Sequence, residues 1–293
     1  MDGVIVIDKP EGWTSHDVVN KVRHIAQTKK VGHLGTLDPI ATGVLPLVIE
    51  RATRLAQFYT RSDKIYEGLV RFGWSTTSYD RAGEPVGEKV EVQLTADELE
   101  PALDKFRGEF LQRPPAVSAK KVDGRRSYEL ARKHIAVELA PTPVHVYELK
   151  LLELNSDLAH LRCHCSGGTY MRSIAHDLGQ VLGCGAHLQE LRRLASGEFE
   201  IDQARTLEQL EALAAADRLV DAIVPAGKML PGFPNVFVDD VTVSQIRNGR
   251  DFPASPFRAH PAAKYVKAVT RNGELVAIGE VVVPNLYHPV VVI

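Results

Sequence analysis

Apolar and polar residues follow two different periods along this chain, and they predict both strands and helices. Residues 3–7, GVIVI, form a short β-branched run that is typical of a buried strand. Residues 16–27 place apolar side chains at helical spacing behind Ser15, which we expect to cap the helix. Residues 158–165 alternate with a period of two. This alternation predicts a strand with Ala159, Leu161, Cys163 and Cys165 on one face and His160, Arg162 and His164 on the other.

Capping boxes mark the start of two further helices. One box begins at Thr95 and precedes an apolar stripe that we expect to stop at Gly108, and another begins at Thr206. Residues 144–153 are expected to form a strand, and residues 169–182 a helix after a Ser-Gly-Gly turn. The buried residues of that last helix are expected to be Met171, Ile174, Ala175 and Leu178.

The C-terminal part of the chain has a different character. The stretch 225–235, PAGKMLPGFPN, contains three prolines and two glycines and is the best linker candidate. The segments beyond it are strand-like, and RNGE at 271–274 is expected to form a type I′ hairpin turn. We therefore expect residues 1–231 to form one domain and residues 232–293 a small β-rich domain.

Composition narrows the class of protein. The chain has 293 residues, of which 44% are hydrophobic and 25% charged, which is typical of a globular protein and excludes general disorder. No run of about 18 uncharged apolar residues occurs, so no membrane span is expected. The start of the chain lacks the basic segment and cleavage site of a signal peptide. Three cysteines give no disulfide framework, which favours a cytoplasmic location.

Charge is segregated along the chain, although the formal net charge is only −2. Residues 85–104 carry six acids and one base, a net of −5, and residues 198–221 carry seven acids and two bases, again −5. Between them, residues 105–134 carry nine bases and three acids, a net of +6. Such blocks are often solvated faces. The mixture of bases, turn formers and an aromatic in the basic block also suits an arm that grips phosphates.

Residues 31–46 are rich in glycine, threonine and proline, and we expect an ordered loop there. The loop contains GHLGTLDPIATG at 32–43, with Asp38 as its single acid. Asp38 can cap the local turn before Pro39, or the loop can present one carboxylate as a nucleophile or base. It is not a phosphate-binding loop, because no Gly-Lys-Ser/Thr ends it and no GxGxxG follows the first strand.

The histidines and cysteines of 158–165 raise the question of a zinc site. Because the alternation puts the two residue types on opposite faces of one strand, they cannot converge on a single ion. We therefore expect core cysteines and no metal site. The serine-centred nucleophile elbow of hydrolases does not occur in the sequence either.

Six segments, taken in chain order, carry a more specific signal. They are residues 3–23 with Lys9-Pro10, GHLGTLDPIATGVLP at 32–46, KIY at 64–66 with FGWSTTSYDRAGEP at 72–85, QRPPAVSAKKVDGRRSYELAR at 112–132, SGGTYMRSIAHDLG at 166–179, and GAHLQELRRLASGEF at 185–199. Together they resemble the TruB family of tRNA pseudouridine synthases, which make pseudouridine 55 in the T-loop. Val117 departs from the family, which usually has an aromatic residue there. The tail, with IRNGR at 246–250, resembles a PUA-type RNA-binding module, and this resemblance is less specific than that of the six segments.

The resemblance implies roles for individual residues. Asp38 matches the family's catalytic aspartate, Arg172 is expected to pair with it, and Tyr66 is expected to stack on the uracil and move the C5 proton. Each assignment has a plainer alternative as a surface residue or a core residue. The remaining implied contacts are His33 in the space left by the flipped base, Tyr170 and Leu191 in the pocket, Lys9 on the aspartate loop or a phosphate, and Lys120, Lys121, Arg125 and Arg126 on RNA phosphates.

The resemblance also implies an α+β fold. Its catalytic domain, residues 1–231, would have a long, mostly antiparallel mixed sheet flanked by helices and a basic RNA-gripping insertion at about 105–134. Residues 232–293 would be PUA-like. The implied reaction breaks the N1–C1′ bond of uridine and rejoins the base through C5, which requires no metal or organic cofactor. The implied partner is tRNA, through its T-arm. We expect a monomer with no obligatory protein partner.

Three other classes are compatible with parts of the same pattern. A non-catalytic RNA-binding or tRNA-folding protein would use the same modules. A guide-dependent pseudouridine synthase shares the aspartate loop, although the intact basic insertion favours a stand-alone enzyme. A carboxylate-pair glycosidase needs a second acid near Asp38, and the motifs offer only Glu50 and Asp80, neither with an obvious role. Attack by Asp38 on C6, attack on C1′ and proton removal at C2′ all fit the sequence.

Overall fold

The structure is a computed structural model that describes residues 2–115, 121–122, 125–126, 139–254 and 263–293. Lys120 and Val117 lie outside the described residues. Of Lys121, Arg125 and Arg126 only the backbone is described, as two short paired strands. The expected α+β fold is confirmed, because a large mixed sheet carries helices and is followed by a β-rich tail.

Within the described residues, ten strands join in one mixed sheet, in which every pair but one is antiparallel. The main path runs β14-β1-β3-β12-β4-β11-β10-β7, with β2 beside β3 and β13 beside β12. The strands up to residue 225 are β1 (Gly3–Lys9), β2 (Val31–His33), β3 (Ala41–Ile49), β4 (Lys64–Phe72), β5 (Ser75–Thr76), β6 (Pro85–Val86), β7 (Gly108–Gln112), β8 (Lys121–Val122), β9 (Arg125–Arg126), β10 (Thr142–Asn155), β11 (Leu158–Cys165), β12 (Ala186–Ser196), β13 (Phe199–Glu200) and β14 (Ile223–Pro225).

The helices begin close to where the sequence predicts them. The capping boxes at Thr95 and Thr206 are both present, and the helix expected near 169–182 has its four predicted core residues buried. The first of these helices ends at Asp104, before Gly108, which begins β7 instead. The α-helices are α1 (Ser15–Ile25), α2 (Ala96–Asp104), α3 (Met171–Val181), α4 (Leu207–Ala215) and α5 (Asp240–Arg247), and 3₁₀ segments cover Glu50–Tyr59, Ile201–Gln203, Leu219–Ala222 and Ala226–Lys228.

Two sequence predictions in the N-terminal part are wrong in detail. Thr14, not Ser15, caps α1, because its side chain accepts from the backbone of Asp17 in a capping box. Ser15 is buried and bonds Leu37 instead. The loop expected over 31–46 is confined to residues 34–40, because β2 and β3 pair across it.

The strand β11 shows the predicted division of faces. Its residues Ala159, Leu161, Cys163 and Cys165 are buried, while its histidines and Arg162 are half-buried on the other face. The neighbouring strand β4 alternates in the same way and buries Tyr66 beside Cys163. The buried face packs against α1, α2 and α3 and forms the main core.

The tail forms a second sheet of five strands among the described residues, in the order β15-β17-β18-β19-β16. The hairpin predicted at 271–274 is present, but its turn is not type I′, because Gly273 has a positive φ and Asn272 does not. A type I turn with a bulge at the glycine fits the two hydrogen bonds of Thr270, whose carbonyl accepts from the Gly273 amide and whose amide donates to the Glu274 carbonyl. The strands are β15 (Asn235–Phe237), β16 (Phe252–Pro253), β17 (Tyr265–Val269), β18 (Leu275–Val283) and β19 (Leu286–Val292).

The tail and the main sheet share part of one core. Val4 and Leu55 belong to the same buried cluster as Val269 and Ile278 of the tail. The buried ammonium of Lys267 donates to the carbonyls of Gly227 (3.1 Å) and Met229 (2.9 Å). Met229 and Leu230, inside the linker candidate 225–235, are themselves buried. No helix among the described residues is long and apolar enough to cross a membrane.

Candidate active site

A cavity of about 690 Å³ opens where the loop 34–40 faces β4, β12 and the start of α3. Its lining includes six of the residues that the sequence singles out. They are His33, Asp38, Tyr66, Tyr170, Arg172 and Leu191. The seventh described candidate, Lys9, lies behind the loop and not on the cavity wall.

The aspartate loop, residues 34–40, is held in place by side chains of other elements. The Ser15 hydroxyl accepts from the Leu37 amide at 2.8 Å and lies 3.0 Å from its carbonyl. The guanidinium of Arg193 in β12 donates to the carbonyls of Gly35, Thr36 and Val44 at 3.1, 3.3 and 2.6 Å. Because these bonds hold its backbone on both sides, the loop presents Asp38 in a defined position.

Lys9 holds the same loop from another direction. Its ammonium is buried and donates to the carbonyls of Pro10 (2.8 Å), Trp13 (2.7 Å) and Pro39 (3.4 Å). Burial lowers the pKa of Lys9 to about 8, and the negative charge of Asp38 acts in the opposite direction. Of the two roles expected for Lys9, support of the loop agrees with this placement, and a buried ammonium offers no surface to a phosphate.

Arg172 and Asp38 form a two-point ion pair on the cavity wall. Arg172 Nε lies 2.9 Å from Asp38 Oδ2, and Nη2 donates to Oδ1 at 3.1 Å. The Arg172 side chain is 5% exposed, whereas that of Asp38 is 35% exposed and faces the cavity. Such a bidentate arrangement orients a carboxylate strongly. The second residue of α3 therefore fixes the direction of the carboxylate in a loop 134 residues earlier.

Asp80 is a second acid on the same guanidinium. Its Oδ2 lies 3.6 Å from Arg172 Nη1, which also donates to the Ser78 carbonyl at 3.2 Å. Asp80 itself is 7% exposed and accepts from Ser78 Oγ at 2.5 Å and from the Ala82 amide at 3.0 Å. Asp80 has no obvious role in the sequence analysis, and no local pattern around it indicates that it meets Arg172.

Tyr66 closes the cavity beside the ion pair. It is 8% exposed, and burial raises the pKa of its phenol to about 12, although the nearby Arg193 guanidinium opposes this shift. Lys64, two residues earlier on the same face of β4, is also buried, and burial together with Arg193 lowers its pKa to about 8. The phenol of Tyr66 is therefore protonated at neutral pH, and it lies among positive charges.

The remaining pocket residues are held by backbone structure. Tyr170 precedes α3, and both its amide and its carbonyl bond the side chain of Gln112, at 2.8 and 3.0 Å. Leu191 lies on β12 opposite Ala41 and Gly68. His33 ends β2, and its Nδ1 accepts from the Gly35 amide at 3.3 Å.

Besides Asp80, three residues that support the site were not identified from the sequence. Gln112 and Arg193 lie inside quoted motifs but have no assigned role, and Lys64 was quoted only as a neighbour of Tyr66. A signal existed for Lys64, because positions i and i+2 of a strand share a face. Gln112 and Arg193 act on partners far away in sequence, and no spacing rule reveals such partners.

No group of three or more histidine, cysteine, aspartate or glutamate side chains that could hold a metal ion occurs in the described ranges. Cys163 and Cys165 lie in the core, as the strand pattern predicts. The arrangement thus offers one oriented carboxylate, one protonated phenol and several fixed cations around a cavity. This set is suited to acid–base or nucleophilic chemistry on a planar substrate.

The fold and this site define a pseudouridine synthase. Residues 23–171 match a family model described as TruB family pseudouridylate synthase (N terminal domain), and residues 172–230 match one described as tRNA pseudouridylate synthase B C-terminal domain. The chain belongs to the TruB family of pseudouridylate synthases, which confirms the resemblance inferred from the motifs.

Curated relatives and solved structures agree with this family. A protein of Solibacter usitatus (strain Ellin6076) named tRNA pseudouridine synthase B is 85% identical over 292 residues, which cover 100% of both chains. A protein of the same name from Stutzerimonas stutzeri (strain A1501) is 42% identical, with 96% of this chain and 92% of the relative covered. A chain of a Cbf5-Nop10-Gar1 complex superposes with a TM-score of 0.73 at 30% identity, with 97% of this chain and 79% of that chain covered.

Proposed function

We propose that this protein is a stand-alone enzyme that isomerises a uridine of tRNA to pseudouridine, with uridine 55 of the T-loop as its target. The observation that carries the proposal is the Asp38–Arg172 pair, which presents a carboxylate to the cavity beside Tyr66. The two relatives named tRNA pseudouridine synthase B support tRNA as the substrate. The T-loop position rests on the motif resemblance.

The reaction rearranges the atoms of one nucleotide. The N1–C1′ bond breaks, the detached uracil turns, and a new bond joins C5 to C1′. The proton on C5 leaves, and one proton is taken up at N1, so that atoms and electrons balance without an oxidant, a reductant or a phosphoryl donor. The chemistry therefore requires a carboxylate, a proton acceptor and a pocket that retains the free base.

Asp38 provides the carboxylate. The two contacts from Arg172, one hydrogen bond and one close ion-pair approach, fix its direction, and an oriented, charge-balanced carboxylate serves each of three routes: attack on C6, attack on C1′, or removal of the C2′ proton. Asp80, whose carboxylate lies 3.6 Å from Arg172 Nη1, holds the guanidinium from the other side. Arg172 is thus the residue that positions Asp38 for any of these steps.

Tyr66 provides the stacking surface and a route for the C5 proton. Because burial raises its pKa to about 12, the free phenolate is scarce at neutral pH. The phenol can accept the C5 proton only while its own proton passes on, and the guanidinium of Arg193 next to it favours the transient phenolate. His33, Tyr170 and Leu191 would confine the flipped base within the cavity.

The wider RNA contacts are assigned by charge and resemblance. The basic insertion at about 105–134, with Lys120, Lys121, Arg125 and Arg126, would bind phosphates of the T-arm. Residues 1–231 would form the catalytic domain, and residues 232–293 a PUA-like RNA-binding domain. A cytoplasmic monomer without cofactor or obligatory protein partner is the state that we propose for the active enzyme.

The test is isomerisation of an unmodified tRNA transcript by the purified protein alone, with pseudouridine mapped by position. We expect one modification, at uridine 55, and none with Asp38→Asn, which keeps the shape of the side chain but not its charge. The control Asp63→Asn changes a more exposed carboxylate just before β4 and should retain activity.

Each competing class gives a different result in the same assay. Product that forms only when a guide RNA is added would indicate a guide-dependent enzyme. Binding without product would indicate a non-catalytic RNA-binding protein, and released uracil would indicate a glycosidase. Near-normal turnover by Asp38→Asn would remove Asp38 from the mechanism altogether.

A further inference from the structure

A second cavity, of about 360 Å³, lies next to the candidate active site. Ser78 separates the two, because its carbonyl bonds Arg172 of the active site while its neighbours Thr77 and Tyr79 line the second cavity. The helix α3 serves both cavities, with Arg172 in the first and His176 one turn later in the second. The remaining wall includes Trp74, Ser75 and Gln180.

Two aromatic rings of this cavity form a stacked pair. The ring centroids of Tyr79 and His176 lie 3.8 Å apart, and their planes differ by 13°. Burial lowers the pKa of His176, so its imidazole is neutral at neutral pH. The buried Nδ1 of His176 has no hydrogen-bond partner among the residues that the structure describes. Ring stacking, and not a polar network, is therefore the contact that the structure shows for this imidazole.

The backbone at Tyr79 is strained. Its φ is +64°, a left-handed conformation that bulky side chains rarely adopt. The turn around it is held by Thr76 Oγ1, which donates to the Asp80 carbonyl at 2.6 Å, and by the Leu188 amide, which donates to the Tyr79 carbonyl at 2.9 Å. Strain of this kind persists where the surroundings enforce it and is concentrated at functional sites. Here it places the Tyr79 ring on His176.

The wall combines aromatic rings and neutral polar groups with one carboxylate, Glu88, and suits the uncharged ring of a heteroaromatic base. Trp74 adds a third aromatic ring to the wall; it packs against His187 with centroids 4.9 Å apart, and the Lys89 ammonium lies 4.6 Å from its centroid. Hydroxyl groups of Ser75 and Thr77 and the amide of Gln180 add donors and acceptors around the rings. Unpaired RNA bases are bound in this way, by stacking on aromatic side chains and by hydrogen bonds to their edges.

The cavity also lies at the base of the basic insertion. The carbonyl of Arg113 accepts from Ser173 Oγ of α3 at 2.8 Å, and the charge of Arg113 acts on both Tyr79 and Asp177. Arg113 belongs to the +6 block of residues 105–134. The block therefore begins beside both cavities, since Gln112 bonds Tyr170 of the first and the charge of Arg113 acts on Tyr79 of the second.

We propose that the second cavity receives an unpaired base of the RNA substrate, stacked against the Tyr79–His176 pair, while the target uridine occupies the active site. The proposal rests on the proposed function, since it requires an RNA substrate. The expected occupant of the cavity is an RNA base, and the experiment distinguishes it from a free aromatic metabolite. The site would act in substrate binding and in selection of the correct loop, and not in the chemical step.

The experiment combines a protein variant with a base deletion in the RNA. Dissociation constants are measured for tRNA transcripts with the full-length Asp38→Asn protein, so that no turnover occurs, with and without Tyr79→Asn. Asparagine accepts a left-handed φ but removes the ring. Tyr79→Phe, which keeps the ring, is the matched control. The transcripts carry a single abasic nucleotide in turn at each position near the target uridine.

We expect Tyr79→Asn to raise Kd by between about five- and 150-fold, the range for one base–aromatic stack, and Tyr79→Phe to leave it nearly unchanged. At one RNA position the abasic substitution should raise Kd by a similar factor for the protein that retains Tyr79. For the Tyr79→Asn protein the same substitution should leave Kd almost unchanged. This lack of additivity assigns the base to the cavity. His176→Ala, on a helix that tolerates alanine, should give the same pattern if Tyr79→Asn does not fold.

Losses that add at every position would overturn the proposal, as would equal losses in Tyr79→Phe. An unchanged Kd in both Tyr79→Asn and His176→Ala would overturn it too, and would leave the cavity to a small aromatic ligand. These results differ from failure of the proposed function. In that case the Asp38-containing protein would form no pseudouridine in tRNA, whatever the effect of Tyr79.

Discussion

Gln112 holds the backbone of Tyr170 through both ends of its side-chain amide. Its Oε1 accepts from the Tyr170 amide at 2.8 Å, and its Nε2 donates to the Tyr170 carbonyl at 3.0 Å. Gln112 is 1% exposed at the end of the edge strand β7, and Tyr170 directly precedes the helix that carries Arg172. One side chain thus connects the edge of the sheet to the helix that orients Asp38.

Removal of this amide should damage both stability and catalysis. Gln112→Ala removes both of its hydrogen bonds to the Tyr170 backbone, whose carbonyl still accepts from the Ile174 amide at 3.2 Å, and the loss of a buried hydrogen-bond partner costs about 1–3 kcal/mol. We expect a lower melting temperature and a slower single turnover, because the start of α3 loses its anchor. Gln93→Ala, at an exposed position before α2, is the control and should change neither. Equal behaviour of the two variants would show that the clamp does not matter.

Asp80 should influence the rate more than the affinity for RNA. Asp80→Asn removes one of the two carboxylates that share a guanidinium that is 5% exposed, so Arg172 is held from one side only and its hold on Asp38 changes. We expect the single-turnover rate at saturating enzyme to fall at least about ten-fold, which corresponds to roughly 1.4 kcal/mol of barrier.

The affinity of the Asp80→Asn protein for tRNA should stay close to that of the native protein. The matched control is Asp157→Asn, which removes an acid from the half-exposed pair with Arg71. If the loss appears in affinity while the single-turnover rate is unchanged, Asp80 acts on RNA and not through Arg172.

Lys64 should give the protein a distinctive dependence of stability on pH. Its pKa is lowered to about 8 in the folded chain by burial and by Arg193, from an ordinary value of 10.5. Between these two values the unfolded chain binds a proton that the folded chain does not, so the free energy of unfolding rises with pH in this window. The full effect is about 3 kcal/mol.

Urea unfolding at several pH values measures this effect. The difference in unfolding free energy between the native protein and Lys64→Met should move in favour of the native protein as the pH rises from about 8 to 10.5. Lys150→Met, at an exposed position of β10, serves as the control. A difference that stays constant over this window would contradict a lowered pKa for Lys64.

The basic insertion should control the salt dependence of RNA binding. Replacement of Lys120, Lys121, Arg125 and Arg126 with glutamine removes up to four phosphate contacts, and each contact contributes about 0.7–0.9 to the slope of log K against log salt. We expect weaker binding and a flatter slope, measured by filter binding of tRNA at several salt concentrations. A slope that is unchanged in the quadruple variant would place the insertion away from the RNA.

Local patterns predicted the elements of this fold well. The alternation at 158–165 gave β11 with the correct faces, and the capping boxes at Thr95 and Thr206 gave the starts of α2 and α4. The prediction was wrong at Ser15, because a threonine one residue earlier forms the capping box and the serine is drawn to Leu37. Only the tertiary contact decides between the two hydroxyls.

The sequence motifs predicted which residues form the site, but not the contacts that connect those residues to the rest of the fold. The Asp38 loop, Tyr66 and Arg172 stand in motifs, whereas the partnership of Arg172 with Asp80 depends on how α3 meets the turn after β5. Arg193 likewise meets the loop at 34–40 only because β12 pairs with β3 in parallel. Such contacts join segments that are far apart in sequence, and neither spacing nor period carries information about them.

The position of β12 in the sheet also has a consequence for how the protein folds during its synthesis on the ribosome. The strands β3 and β4 are neighbours in the chain, yet β12, residues Ala186–Ser196, lies between them and supplies Arg193 to the aspartate loop. A nascent chain that ends before residue 186 therefore has an open gap where the pocket will form. The catalytic pocket is assembled only when a late segment inserts between two early ones, a non-local step that favours slow folding.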